Sequence, residues 1–102
     1  MTSPFKATRD GEVLRIVGEI DLGSASEFED AVLAITGEGD DCIIDLSDLT
    51  FIDSTGIRAV IRVADRCSPT ALVLRSPRPN VLKVFDITGL EAAAENVTIE
   101  RT

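Results

Sequence analysis

The sequence predicts a single α/β domain, a mixed central β-sheet with its helices packed mainly on one face. Three observations carry that reading. Short apolar stretches and helix-period stretches follow one another as strand, strand, helix, strand, helix, strand, helix, strand, the order of strand–helix–strand units. Only Arg9-Asp10-Gly11-Glu12 separates the first two strands, and Asp-Gly between apolar alternations is a hairpin signal, so the sheet opens antiparallel. Each later strand is preceded by a helix, which calls for parallel pairing through right-handed crossovers. A length of 102 residues suits one domain, residues 1–102. Such a domain buries about two-thirds of its unfolded surface and needs no metal or disulfide to fold.

The hairpin strands are expected at Phe5–Thr8 and Val13–Val17. Ser24 or Ser26 can cap the first helix, with Glu27, Glu29 and Asp30 favourably placed near its positive end. Phe28, Ala31, Val32 and Ile35 form its apolar face, and Gly37-Glu38-Gly39 ends it. The next strand, Asp41–Leu46, has a solid apolar centre in Ile43 and Ile44 and should be central. A further apolar run stops at Asp53, after which Ile57, Val60, Ile61 and Ala64 recur at helical spacing. Ala71–Leu74 is a strand. Pro77 and Pro79 precede a third helix from about Asn80 to Asp86, with Val81, Leu82, Val84 and Phe85 available for burial. Val97–Glu100 closes the sheet. There is no internal repeat, linker or low-complexity segment.

Composition excludes several function classes. The 18 acidic and 10 basic side chains give a net charge of −8, which repels nucleic acid and anionic lipid. Four Phe with no Trp or Tyr leave little for base stacking. No apolar run approaches the length of a membrane span, and Met1-Thr2-Ser3-Pro4 leads into mixed polar residues, so a cytoplasmic protein is expected. Cys42 lies in a strand and Cys67 near the end of the second helix. Without CxxC spacing they suggest buried hydrophobes rather than a disulfide framework or a zinc site.

An enzyme finds little to work with. There is no histidine to serve as a base, no GxSxG elbow and no Walker-type loop. The lysines, Lys6 and Lys83, are remote in sequence from any candidate nucleophile. Asp40, Asp41, Asp45, Asp48 and Asp53 are scattered over a strand and its edges, where acids are solvated or capping. No catalytic residue, metal or cofactor is expected.

The turn Asp53-Ser54-Thr55-Gly56 concentrates the functional signal. Asp, Ser and Thr are preferred helix caps, which alone accounts for most such turns. The same address places a serine hydroxyl beside unpaired N–H groups and the positive end of a helix dipole. Arg58, Arg62 and Arg66 follow at i, i+4 and i+8, a basic stripe on an acidic protein. Arg58 lies one turn from Ser54. It can either meet an acidic partner or hold a phosphate on Ser54.

Phe51-Ile52-Asp53-Ser54-Thr55-Gly56-Ile57 resembles the signature of STAS domains, specifically the anti-sigma factor antagonists of bacteria. Gly18-Glu19-Ile20-Asp21 resembles the family's second recurrent segment, and Asp45-Leu46-Ser47-Asp48-Leu49 its strand-to-loop lead-in to the serine. Val81 to Leu90 resembles its C-terminal helix and turn. The four segments occur in the family's order and cover nearly the whole chain. The resemblance implies that Ser54 is phosphorylated, and that Glu19, Asp21, Asp53, Ser54, Thr55, Gly56 and Arg58 form a partner-binding surface. The implied partner is an anti-sigma factor that is also a serine kinase of the GHKL type, with a serine phosphatase to reset the switch. Binding would free a sigma factor, as in a stress response. A STAS scaffold or signalling protein outside sigma-factor control, or a small-ligand or nucleotide-binding STAS domain, are the alternatives. With one core, no heptad seam and no disulfide pattern, the free chain is expected to be a monomer. Light scattering should give the monomer mass, and the melting temperature should not change when reductant is added.

Overall fold

In the computed structural model, which describes residues 5–35 and 41–101, a five-stranded sheet of order β1-β2-β3-β4-β5 carries four helices. The strands are β1 (Phe5–Asp10), β2 (Val13–Ile20), β3 (Cys42–Ile52), β4 (Leu72–Arg75) and β5 (Val97–Glu100). Helix α1 (Ala25–Ile35) joins β2 to β3, and α2 (Ser54–Cys67) joins β3 to β4. Helices α3 (Pro79–Thr88) and α4 (Leu90–Ala93) lie between β4 and β5. The β1–β2 pair is antiparallel and every other pair is parallel, as the order of elements predicts. Each crossover adds the next strand on the same side of the last, so right-handed connections place the helices on one face.

Burial follows the two-residue period of the strands. Leu14 and Ile16 of β2, Cys42, Ile44 and Leu46 of β3, Leu72 and Leu74 of β4, and Val97 and Ile99 of β5 are buried beneath the helices. Their neighbours Val13, Ile43, Asp45, Val73 and Arg75 alternate with them and are partly exposed, and Arg15 is exposed. Phe28 and Val32 of α1, Ala59, Val60, Val63 and Ala64 of α2, Val81 and Phe85 of α3 and Leu90 of α4 pack over the buried strand residues. Arg62 of α2 reaches across to Glu29 of α1, with a 2.8 Å contact between Nη2 and Oε2. That bond holds the Glu29 carboxyl below its ordinary range. The middle arginine of the basic stripe is therefore a clamp between helices, while Arg58 and Arg66 are exposed.

Helix limits have local causes. Pro79 occupies the first turn of α3, where its missing N–H costs nothing. Gly89, at φ 68°, ends α3 in the left-handed conformation, and its carbonyl accepts from Ala92 and Ala93 to start α4. At the lower end of the sheet the Asn96 side chain donates to the carbonyls of Ala64 and Thr70, tying α2 to the start of β4.

The structure lengthens three strands. β1 runs past Thr8 to Asp10, taking in two residues of the expected connection. β2 continues past Val17 to Ile20, and β3 does not stop at Leu46 but runs to Ile52. Asp45-Leu46-Ser47-Asp48-Leu49, expected as a lead-in from strand to loop, is strand throughout. Two register shifts between β2 and β3, at Arg15/Val17 and Gly18/Glu19, break the simple alternation there. The polar residues of this stretch are accommodated individually. Asp48 pairs with Arg15 across the strands, and Asp45 accepts from the Ser47 amide at 2.9 Å. The glycines expected to end α1, Gly37 and Gly39, lie outside the described residues, and α4 was not anticipated.

Both cysteines are free and buried. Burial pushes the Cys42 thiol up from 9.0 to about 11. The unfolded thiol then loses its proton before the folded one. This contribution to stability is intact below pH 9.0 and is lost as the pH rises towards about 11. Urea titrations across that window should show falling stability in the wild type, and a smaller fall in Cys42→Ala measured against its own value at neutral pH.

Candidate functional site

The site is built where β2 and β3 end side by side. Their register pairs Glu19 with Phe51 and Ile20 with Ile52, so Asp21 and Asp53 leave the sheet as neighbours. The Asp53 amide donates to the Ile20 carbonyl at 3.4 Å, one bond beyond the ladder. Ligand and partner sites of parallel sheets tend to form at such carboxyl ends.

Asp53 is the N-cap of α2. Its backbone is extended, and its Oδ1 accepts from the Gly56 amide at 3.0 Å. Ser54 is the first helical residue and is exposed, Thr55 is half-buried, and Gly56 is buried. Among the described residues the Ser54 hydroxyl has no hydrogen-bond partner. Of the three candidate caps, the aspartate therefore does the capping and leaves the serine without structural duty. Gly56 is required by closeness rather than by backbone angle. A Cβ there would lie 2.6 Å from the Ile20 carbonyl oxygen and 2.6 Å from Ile52 Cγ1.

The Asp21 turn is equally ordered. Asp21 Oδ1 accepts from the Gly23 amide at 2.9 Å, and the Asp21 carbonyl accepts from the amides of Ser24 and Ala25. Ser24, not Ser26, precedes α1, and its carbonyl accepts from Phe28. Its hydroxyl turns back, donating to the Glu19 carbonyl at 2.7 Å and accepting from the Asp21 amide at 3.1 Å. Ser24 is the one buried polar residue among those described, at 1% exposure, and these bonds are what let it be buried. The Asp-x-x-Ser spacing is the sequence signal that marks it.

The last part of β3 needs outside support on one side. Its pairing with β4 ends at Asp45–Arg75, so β3 runs on from Leu46 to Ile52 without a strand on that side. Side chains from the start of α3 take the place of a strand. Arg78 Nε donates to the Ser47 carbonyl and Asn80 Nδ2 to the Thr50 carbonyl, each at 2.9 Å. On the β2 side Thr50 Oγ1 donates to the Gly18 carbonyl at 3.0 Å. Sequence reasoning missed Arg78 and Asn80, because nothing local links them to β3.

The structure thus brings Glu19, Asp21, Asp53, Ser54, Thr55 and Gly56 to one end of the sheet, with exposed Arg58 one turn further along α2. It is a surface of adjoining turns. An open cleft of about 760 Å³, lined in part by Ile61, Arg62, Asp65, Pro69 and Asn96, lies between α2 and α4 and takes no part in it. Among the described residues no helix is long and apolar enough to cross a membrane, and no group of acids and cysteines is placed to hold a metal ion.

The chain is a small α/β domain whose mixed sheet is helix-covered on one face, with a serine opening the helix after its central strand. The family model for the STAS domain matches residues 4–102, and the chain belongs to that family. It is 30% identical over 80 residues to the anti-sigma-B factor antagonist of Bacillus subtilis strain 168, across 76% of this chain and 73% of the relative. Its fold is similar to the crystal structure of an anti-sigma factor antagonist from Mycobacterium paratuberculosis, with a TM-score of 0.74 at 20% identity over 99% of this chain and 87% of the other. A proposed anti-sigma factor antagonist from Thermotoga maritima superposes with a TM-score of 0.68 at 23% identity, over 96% and 86% of the two chains.

Two substitutions test the local account. Gly56→Ala should cost about 1–3 kcal/mol through the forced shift against Ile20. Asp53→Ala should cost about 1 kcal/mol through the lost cap, while Ser54→Ala should stay within about 0.5 kcal/mol of wild type. Urea denaturation of the three variants checks the order.

Proposed function

We propose that this chain is an anti-sigma factor antagonist, a cytoplasmic protein-interaction module switched by phosphorylation of Ser54. Unphosphorylated, it binds an anti-sigma factor through Glu19, Asp21, Asp53, Ser54, Thr55, Gly56 and Arg58, and so frees a sigma factor. The anti-sigma factor is also a serine kinase of the GHKL type and supplies the ATP and magnesium. It transfers a phosphoryl group to Ser54 and the complex separates. A serine phosphatase restores the hydroxyl. The chain itself performs no catalysis.

The observation that carries this reading is the division of labour between Asp53 and Ser54. Asp53 caps α2, so the exposed Ser54 hydroxyl can be modified without loss of a structural hydrogen bond. A phosphate there adds about two negative charges. They would arrive next to Asp53 and beside the Asp21 turn. A neutral hydroxyl is easily buried against a partner, whereas removing that cluster of negative charge from water is costly. Each loss of about 1.4 kcal/mol weakens binding tenfold. The fold tolerates the modification, because an anion at a helix N-terminus is stabilised by the dipole.

After incubation with the purified kinase partner and ATP, mass spectrometry should find one phosphate, on Ser54. Ser54→Ala should remain unmodified and partner-bound. Ser54→Asp should bind less tightly than wild type but better than the phosphoprotein, since it carries less charge, and should remain folded. Thr55→Ala should still be phosphorylated. Phosphate on Thr55 instead, or equal partner affinity with and without phosphate, would overturn the switch. Asp21→Ala should weaken partner binding or slow phosphorylation while leaving the fold intact, and an unchanged affinity and rate would reduce Asp21 to a surface acid.

A further inference from the structure

Leu22 is the most exposed large apolar side chain among the described residues, at 82%, and it sits directly after Asp21. Its display is not looseness. The turn beneath it is closed by the Ser24 and Ala25 amides on the Asp21 carbonyl, by the Gly23 amide on Asp21 Oδ1, and by the buried Ser24 hydroxyl. A leucine held in water on a turn fixed at both ends contributes nothing to the core, and a ligand that covers it has little ordering left to do. Phe51, 43% exposed, is its counterpart on the neighbouring strand. It lies two residues before Asp53 and opposite Glu19.

Charge decides what covers this apolar pair. Glu19 and Asp21 flank Leu22 on one side and exposed Glu27 and Asp30 follow on the first turns of α1, in a chain of net charge −8. An anionic membrane surface is repelled by such a rim. A second copy docked about a two-fold axis would set the same acids against themselves. A protein surface with an apolar pocket bordered by Lys or Arg is attracted by the acids and rewarded by the burial.

We propose that Leu22 and Phe51 are the apolar anchors of the partner interface and that the partner presents an apolar pocket with a cationic rim. This rests on the functional reading above and assigns to these side chains the part of the affinity that does not depend on Ser54. Burying a leucine of this exposure is worth about ten- to a hundredfold in affinity.

The test is calorimetric titration of the full-length chain, unphosphorylated, with each purified anti-sigma factor of its own cell. Leu22→Ser should raise the dissociation constant of the cognate pair at least tenfold, Leu22→Met should restore it to within about threefold, and Phe51→Ala should also weaken it. The melting temperature of Leu22→Ser should match wild type. Affinity within twofold of wild type in Leu22→Ser, with Ser54 still phosphorylated by the same partner, would overturn the anchors and leave the switch standing. Failure of wild type to bind any anti-sigma factor would overturn both. Self-association or binding to phosphatidylserine vesicles that Leu22→Ser abolishes would overturn the stated partner chemistry.

Discussion

Helix α2 begins in contact with the backbone of a neighbouring strand, because residue 56 is a glycine and the Ile20 carbonyl occupies the space a Cβ would need. Much of the site's geometry depends on that approach. It lets the Asp53 amide extend the ladder to Ile20, and it sets the cap of one helix against the turn that starts another. Two loops joined in this way cannot move independently. A charge introduced on one is felt by the acids of the other at short range, in a setting where they compete for the same solvent. That closeness is set by packing before any partner is present.

The central strand serves two purposes that make different demands. From Cys42 to Asp45 it is flanked by β2 and β4 and is an ordinary core strand. Beyond Asp45 it loses one neighbour but carries the serine turn. The exposed carbonyls on that side would invite pairing with foreign strands. Arg78 and Asn80 occupy two of them and connect α3 to the serine turn through a few bonds. The Arg15–Asp48 pair and the Thr50 hydroxyl steady the other side.

Much of this was legible in the chain. The hairpin, the parallel crossovers and the serine turn follow from local residue pattern and strand order, and the family resemblance put Asp21 and Ser54 on one surface. The length of β3 was not, because Ser47, Asp48 and Thr50 break the alternation that marks a strand. They are tolerated only through the register shifts and the cross-strand partners that folding supplies. Helix α4 is a single turn, too short to show a period. Arg62 resembled Arg58 and Arg66 until α1 was placed beside it with Glu29. The hydroxyl of Ser24 looked like one of two equal caps, and only its burial against Glu19 separates it from Ser26. What sequence pattern lacks throughout is the identity of side chains remote in sequence and close in space.

On the proposed function, strand direction sorts the molecule into a working end and an idle one. Among the described strands β1 alone runs against the others, and its first residue, Phe5, pairs with Gly18 near the working end. Phe5 therefore lies at the same end of the sheet as the Asp21 and Ser54 turns. The reversal at Gly11, with φ at 63° and open space around it, falls at the idle end. A fluorophore attached at Phe5 would sit near the proposed interface, whereas the same label inserted at Gly11 would leave it clear, and assays built on either choice would report different affinities for an unaltered site.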